Sequence, residues 1–176
     1  MSIEDDKKRF TDIYNQESDS LFRFCLIRVS DREKALDLTQ EAFTRLWNSV
    51  SLGKEPENPR AFLYVVARHL IIDWYRRTKS ISLESLSDER GEDFIILDEK
   101  TTFDIEMSLD AKHVLSMLDK LEMQYREVIY FRYVEGFPPK DIAEILNLSA
   151  NVVSIRISRG MEMLRRLMGI SENDHE

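Results

Sequence analysis

The 176-residue chain is 43% hydrophobic and 33% charged, with only five glycines and four prolines, a balance that favours long helices over a turn-rich β fold and supplies two small cores or one of medium size. Its formal net charge of -8 excludes indiscriminate coating of nucleic acid and leaves room for a local basic patch. A single cysteine, Cys25, excludes a disulfide framework or a cysteine-based zinc site, and no stretch approaches the ~18 uninterrupted apolar residues of a membrane span. With the acidic opening MSIEDDKKRF and no apolar h-region, the expectation is a soluble protein of a reducing, cytoplasmic compartment with no stable membrane insertion.

From Lys8 to Val29, Phe10, Ile13, Tyr14, Leu21, Phe22, Phe24, Cys25 and Leu26 recur at helical intervals, with a polar interruption from Asn15 to Ser20. This predicts one or two helices as the first wall of a bundle. Ser30 or Asp31 caps the next helix, whose core face is Ala35, Leu38, Ala42, Leu46 and Val50. The same helix carries Asp37, Gln40, Glu41 and Thr44 beside Phe43 and Trp47. Rings within a polar rim suit a protein-binding surface; an ordinary solvated face is the alternative.

Ser51 to Glu57, with Gly53 and Pro56, is a loop that delivers the chain to Asn58, an N-cap followed by Pro59 as the first helical residue. In the helix that follows, Arg60, Tyr64, Arg68, Tyr75 and Lys79 share a stripe at about 100° per residue. Leu63, Val66, Ala67, Leu70 and Trp74 form a second arc, and Phe62, Val65 and Ile72 extend the apolar cover. Two readings stand. Rings alternating with cations suit single-stranded nucleic acid, which stacks bases on aromatics and pairs phosphates with Arg and Lys. A core helix whose long side chains snorkel to water fits the spacing as well.

Composition changes after Lys79. Glu84 to Glu106 holds nine acids against Arg90 and Lys100, with few apolar residues outside Phe94 to Leu97. A segment of that kind builds no core and reads as a flexible acidic tether. The organisation expected is therefore all-α: an N-terminal helical bundle over 8–79, an acidic linker over 80–106, and a C-terminal helix-turn-helix domain over 107–169.

In the second domain Leu109, Val114, Leu118 and Leu121 keep helical phase, and a further helix, MQYREVIYFRYVEG, stops at Gly136. Pro139 opens a short helix with Ile142, Ala143 and Leu146 inward. Asn147 and Leu148 make a tight turn, and Ser149 caps a longer helix with Val153, Ile157 and Leu164 inward. Two helices across such a turn make a helix-turn-helix, with a plain antiparallel helix pair as the alternative. Asn151, Ser154, Ile155, Ser158 and Arg159 lie close to one face of the second helix with Arg156 beside it, where Asn and Arg can read base edges and Ser can hold phosphates.

These parts, in this order, resemble the bacterial sigma factors of the extracytoplasmic-function group, within the sigma-70 family. Three motifs carry the resemblance: DLTQEAFTRLW at Asp37 to Trp47, NPRAFLYVVARHLIIDWYRR at Asn58 to Arg77, and the YREVIYFRYVEG, DIAEIL and SANVVSIRISRG run. It implies a protein that binds core RNA polymerase and directs promoter-specific transcription initiation. The polymerase-binding face would comprise Asp37, Gln40, Glu41, Phe43 and Trp47. Arg60, Tyr64, Arg68, His69, Tyr75, Arg76 and Arg77 would face the minus-10 element as single-stranded DNA. Asn151, Ser154, Arg156, Ser158 and Arg159 would face the minus-35 duplex. An anti-sigma factor is implied as a partner by the resemblance alone.

There are departures. His69 stands where many members carry Asn, and Asn151-Val152-Val153-Ser154-Ile155-Arg156 replaces the usual Gly-Thr-Val-Lys-Ser-Arg, so the preferred promoter should be unusual. Pro138 replaces a common capping Ser. A competing reading is a two-domain helix-turn-helix regulator that binds DNA without joining the polymerase; a helical adaptor with no nucleic-acid role is another. For catalysis or a metal, His69 and Asp73 are one helical turn apart, but no third ligand and no Gly-rich phosphate loop accompany them. Neither an enzyme nor a cofactor is expected.

Overall fold

The computed structural model describes residues 3–81 and 108–170. The chain divides into two compact units, parted between Ile96 and Leu97, and each is a helical assembly of its own. Among the described residues every regular element is helical. Of the segment expected as a linker, 80–106, the first two residues belong to α3 and 82–106 lies outside the described residues.

The first unit holds α1 (Ile3–Val29), α2 (Arg32–Ser51) and α3 (Pro59–Ile81). The polar stretch from Asn15 to Ser20 does not break α1, which runs as one helix of 27 residues. Only its second half is clad on nearly all sides, with Leu21, Phe24, Cys25, Leu26, Ile27 and Val29 buried. The chain reverses at Ser30, which takes a left-handed φ of 55° while its N–H reaches the Leu26 carbonyl at 2.9 Å. Asp31 is the cap of α2: its Oδ1 accepts from the Lys34 N–H at 2.9 Å, satisfying one of the amides a helix start leaves over.

All five residues expected on the core face of α2 are buried, and α2 packs on both α1 and α3. Asn58 caps α3 as its position before Pro59 predicts, with Oδ1 accepting from the Ala61 N–H at 3.0 Å. The core sits between the second half of α1, the inward face of α2 and the middle of α3, where Ala61, Leu63, Tyr64, Ala67 and Ile71 have no exposed surface.

The second unit contains α4 (Leu109–Leu118), α5 (Met123–Ile129), α6 (Pro139–Leu146) and α7 (Ala150–Leu167). Here the expected phase of α4 needs correction. Val114 is 49% exposed, and Leu115, with Leu118 and Leu121, faces inward instead. Arg126 ties the α4–α5 turn, donating from Nη2 to the carbonyls of Asp119 (2.8 Å) and Leu121 (2.9 Å).

Beyond α5 the chain continues as a π-helical turn, Tyr130–Val134. The Glu135 N–H bonds back to the Tyr130 carbonyl at 3.1 Å, and the Phe137 N–H to the Phe131 carbonyl at 2.9 Å. Gly136, at φ +74°, is where the chain turns out of the helix. Tyr130, Phe131 and Phe137 fill the core beneath it. Gly160 brings α7 against α5: a Cβ there would lie 3.0 Å from Ile129 Cγ1 and 3.2 Å from Tyr125 Cβ.

Candidate polymerase and nucleic-acid interfaces

The outward side of α2 is built by its phase. With Ala35, Leu38, Ala42 and Leu46 inward, Asp37, Gln40, Glu41 and Thr44 stand exposed. Glu41 accepts from Arg45 Nε at 2.9 Å, an exposed pair one turn apart that contributes little to stability. Phe43, expected as an exposed anchor, is buried to 3% exposure. Its ring sits 4.8 Å from that of Tyr14 and 6.2 Å edge-on to Phe10, and Phe10 meets Trp47 at 5.3 Å.

These rings floor a groove of about 620 Å³ between α1 and α2, with Lys7, Thr11, Gln40 and Thr44 on its walls. Phe43 therefore shapes the floor, while half-buried Trp47 and 46%-exposed Tyr14 are accessible from outside. Sequence reasoning missed Phe10 and Tyr14 as part of this surface. Their signal was present: two rings four residues apart in a stretch of α1 flanked by charges, one turn of a helix whose apolar cladding begins only at Leu21.

On α3 the expected stripe divides. Tyr64 has 0% exposure and packs edge-on against Phe24, with ring centroids 5.0 Å apart, so it is a core residue and offers no face to a base. Arg60 donates from Nε to Glu17 Oε2 at 3.0 Å, which fastens the start of α3 to α1. Tyr75 donates its hydroxyl proton to the Arg28 carbonyl, and its ring meets Trp74 at 4.8 Å. Burial pushes the Tyr75 hydroxyl above its ordinary pKa, the Arg28 charge opposing, so it stays a donor. Arg68 is half-buried, and His69, Arg76 and Arg77 are exposed. His69 and Asp73, one helical turn apart, do not pair with each other: both are exposed, and neither makes a hydrogen bond or ion pair among the described residues.

Beneath this edge lies an interior polar cluster that the sequence did not announce. Arg28 is buried, its guanidinium 3.6 Å above the Phe24 ring and its Nη1 donating to the Phe24 carbonyl at 3.1 Å. Burial pushes the neighbouring Cys25 thiol from 9.0 to about 11, although Thr39 and Arg28 pull the other way. A thiol so placed is inert. Among the described residues no group of three or more His, Cys, Asp or Glu side chains is placed to hold a metal ion, and no helix is long and apolar enough to cross a membrane.

In the second unit α6 and α7 meet at a three-residue turn. Asn147 ends α6 in the left-handed conformation, φ 53° and ψ 50°, which Asn adopts more readily than a β-branched residue. The Leu148 N–H closes on the Ala143 carbonyl at 2.9 Å, and Ser149 Oγ accepts from the Val152 N–H at 3.2 Å to start α7. Val153 and Gly160 are buried against the unit, while Ile157 and Leu164 are half-buried. Asn151, Ser154, Ser158 and Arg159 are exposed, Arg156 is half-buried, and none uses its side chain for a hydrogen bond or ion pair among the described residues. A helix held by its back and capped at its start thus offers a polar, partly cationic face from its N-terminal half. That geometry suits the major groove.

Two helical units, the second ending in a helix-turn-helix, define a class that the comparisons name. Residues 13–81 match the family model for sigma-70 region 2, and residues 112–164 match that for sigma-70 region 4. The chain belongs to the sigma-70 family of RNA polymerase sigma factors, in the extracytoplasmic-function group. It is 29% identical over 167 residues to the ECF RNA polymerase sigma factor SigW of Bacillus subtilis, covering 92% of this chain and 89% of the other. With SigX of the same organism the figures are 26% over 165 residues, 92% and 84%. Among solved structures, the sigma factor RpoE in complex with the anti-sigma factor NepR, from Bartonella quintana, aligns with a TM-score of 0.63 at 20% identity, over 94% of this chain and 99% of that one. CnrH, in complex with the cytosolic domain of CnrY, gives 0.59 at 20% identity, over 94% and 91%. At that identity the two structures speak for the fold.

Proposed function

We propose a division of labour for a chain that, as a sigma factor, works with core RNA polymerase in promoter-specific initiation. The exposed face of α2, with Asp37, Gln40 and Glu41, docks on the polymerase, and the groove floored by Phe43 takes part of the same partner beside Trp47 and Tyr14. The outer edge of α3, carrying Arg68, His69, Arg76 and Arg77, faces the minus-10 single strand. Tyr64 supports that edge from within, and Arg60 and Tyr75 hold it to α1. The open face of α7 reads the minus-35 duplex. The observation that carries the reading is the pair of sigma-70 region matches falling in order on the two helical units.

With a net charge of -8 and small basic faces, the free chain binds DNA weakly and engages it after joining the polymerase. It works in the cytoplasm, performs no catalysis of its own, and is held by an anti-sigma factor, a partner proposed on family resemblance. A regulator that binds DNA alone would use the α7 face equally well and would leave the α1–α2 groove without a purpose.

The test is co-elution of the purified chain with core polymerase and transcription by the mixture from genomic DNA. The Asp37→Ala/Gln40→Ala double variant should lose association while keeping its helicity. Persistent association would overturn the docking assignment, and tight promoter binding by the isolated chain at physiological salt would favour the stand-alone regulator.

A further inference from the structure

At the centre of the polar face of α7 stands an apolar side chain that the fold does not use. Ile155 is 42% exposed. At about 100° per residue Asn151 lies roughly 40° to one side of it, Arg159 roughly 40° to the other, and Ser158 within roughly 60°. Ser154 and Arg156 lie roughly 100° away on either flank. The inward direction is set by buried Val153 and Gly160, and Val153, two residues back, points roughly 160° away from Ile155. Ile155 therefore lies on the outward ridge of the helix, beside Asn151, as that ridge stands away from its own domain.

A helix that lays this face into a major groove puts its ridge over the groove floor and its flanks toward the phosphate walls. Asn151 and Arg159 then reach base edges, and Ser154 and Arg156 meet the backbone. The floor offers hydrogen-bonding atoms at every base pair and one apolar group, the C5-methyl of thymine. An isoleucine over a purely polar floor would cover base-edge donors and acceptors without replacing the water they lose, at a cost to binding. We infer that Ile155 is a specificity-determining residue that packs against the C5-methyl of a thymine in the minus-35 duplex. The inference rests on the sigma reading of α7 and adds to it the identity of one base and the atom by which it is recognised.

Deoxyuridine keeps the hydrogen-bonding edge of thymine and lacks only that methyl, so it isolates the contact. Holoenzyme formed from the full chain and core polymerase is used to select its preferred minus-35 duplex from a randomised library. Each thymine of the selected site is then replaced singly by deoxyuridine. One replacement should weaken wild-type binding about fourfold, the factor to which ~0.8 kcal/mol per buried methyl group corresponds. Ile155→Ala should bind the unmodified site several-fold less tightly and show no further loss at that position, with Ile155→Val between the two. Circular dichroism should show Ile155→Ala folded, because the side chain it shortens is exposed.

The inference is overturned if the selected site carries no thymine on either strand beneath α7. It also fails if Ile155→Ala keeps the full wild-type sensitivity at every thymine. Failure of the wild-type mixture to initiate at any site would bring down the sigma reading itself, a result distinct from a working holoenzyme that ignores the methyl.

Discussion

α3 and α7 both start from a side-chain cap and both carry arginines along one edge, yet the fold treats those edges in opposite ways. α3 is met by α1 and by α2, and it is apolar over most of its circumference. Covering it draws Tyr64 wholly into the core, engages Arg60 with Glu17 and sets Tyr75 on the Arg28 carbonyl. α7 packs chiefly on α5 and α6, so the polar side chains of its N-terminal half, Asn151, Ser154, Ser158 and Arg159, stay uncommitted among the described residues. A ring in a cationic stripe is thus no guide to a stacking surface when the helix is wrapped. A polar face on a helix held only by its back is.

The sharpest way to break this contrast is Tyr64→Ala. If Tyr64 belongs to the core, the first unit should lose ~3 to 5 kcal/mol, as for other buried aromatics, read by denaturant unfolding. A stable variant defective only in DNA binding would return Tyr64 to the surface. The interior of the same unit should also respond to alkali. Cys25 has a folded-state pKa above its unfolded one, so the folded state holds the proton longer. The associated stability is complete below pH 9.0 and is lost as pH rises through about 11. The rise corresponds to roughly 3 kcal/mol. Unfolding midpoints between pH 8 and 11 should fall more steeply for the wild type than for Cys25→Ala, with Tyr75 adding to the slope of both.

In the second unit Arg159→Ala should leave the melting temperature unchanged and weaken minus-35 binding by ~1 to 3 kcal/mol at the base it reads. An equal loss on every sequence would make it a phosphate contact. The smallest effect is that of Ser149→Ala, which removes the α7 cap and should cost ~1 kcal/mol of second-unit stability in a thermal melt.

Short-range chemistry made much of this legible. Asn58 and Ser149 cap as their positions before apolar-periodic runs predict, the choice left between Ser30 and Asp31 falls to Asp31, and Asn147 makes its turn, because each bond spans only a few residues. The outward residues of α7 were legible for the same reason, since Val153 fixes the phase. Tyr64 was not, because its burial depends on Phe24, forty positions earlier in the chain, which periodicity within α3 cannot see. In α4, Val114 and Leu115 are adjacent and both apolar, so ten residues of pattern left the phase open until the packing chose Leu115. The groove was hidden by the same limit: Phe10 and Tyr14 read as wall residues until α2 set Phe43 and Trp47 opposite them.

The π-helical turn at Tyr130–Val134 gives the second unit a reserve of length. Its amides bond one residue further back than those of an α-helix, so the segment stores a surplus residue while α5 before it and the Gly136 bend after it keep their places. Loss of one residue there returns the turn to ordinary α-helical bonding, and the change stays local. The same loss inside α7 turns every later side chain by about 100° and takes Arg159 off its face. Two stretches of one small domain should therefore differ in the insertions and deletions they survive, and the tolerant one is not part of the α7 face proposed to meet DNA.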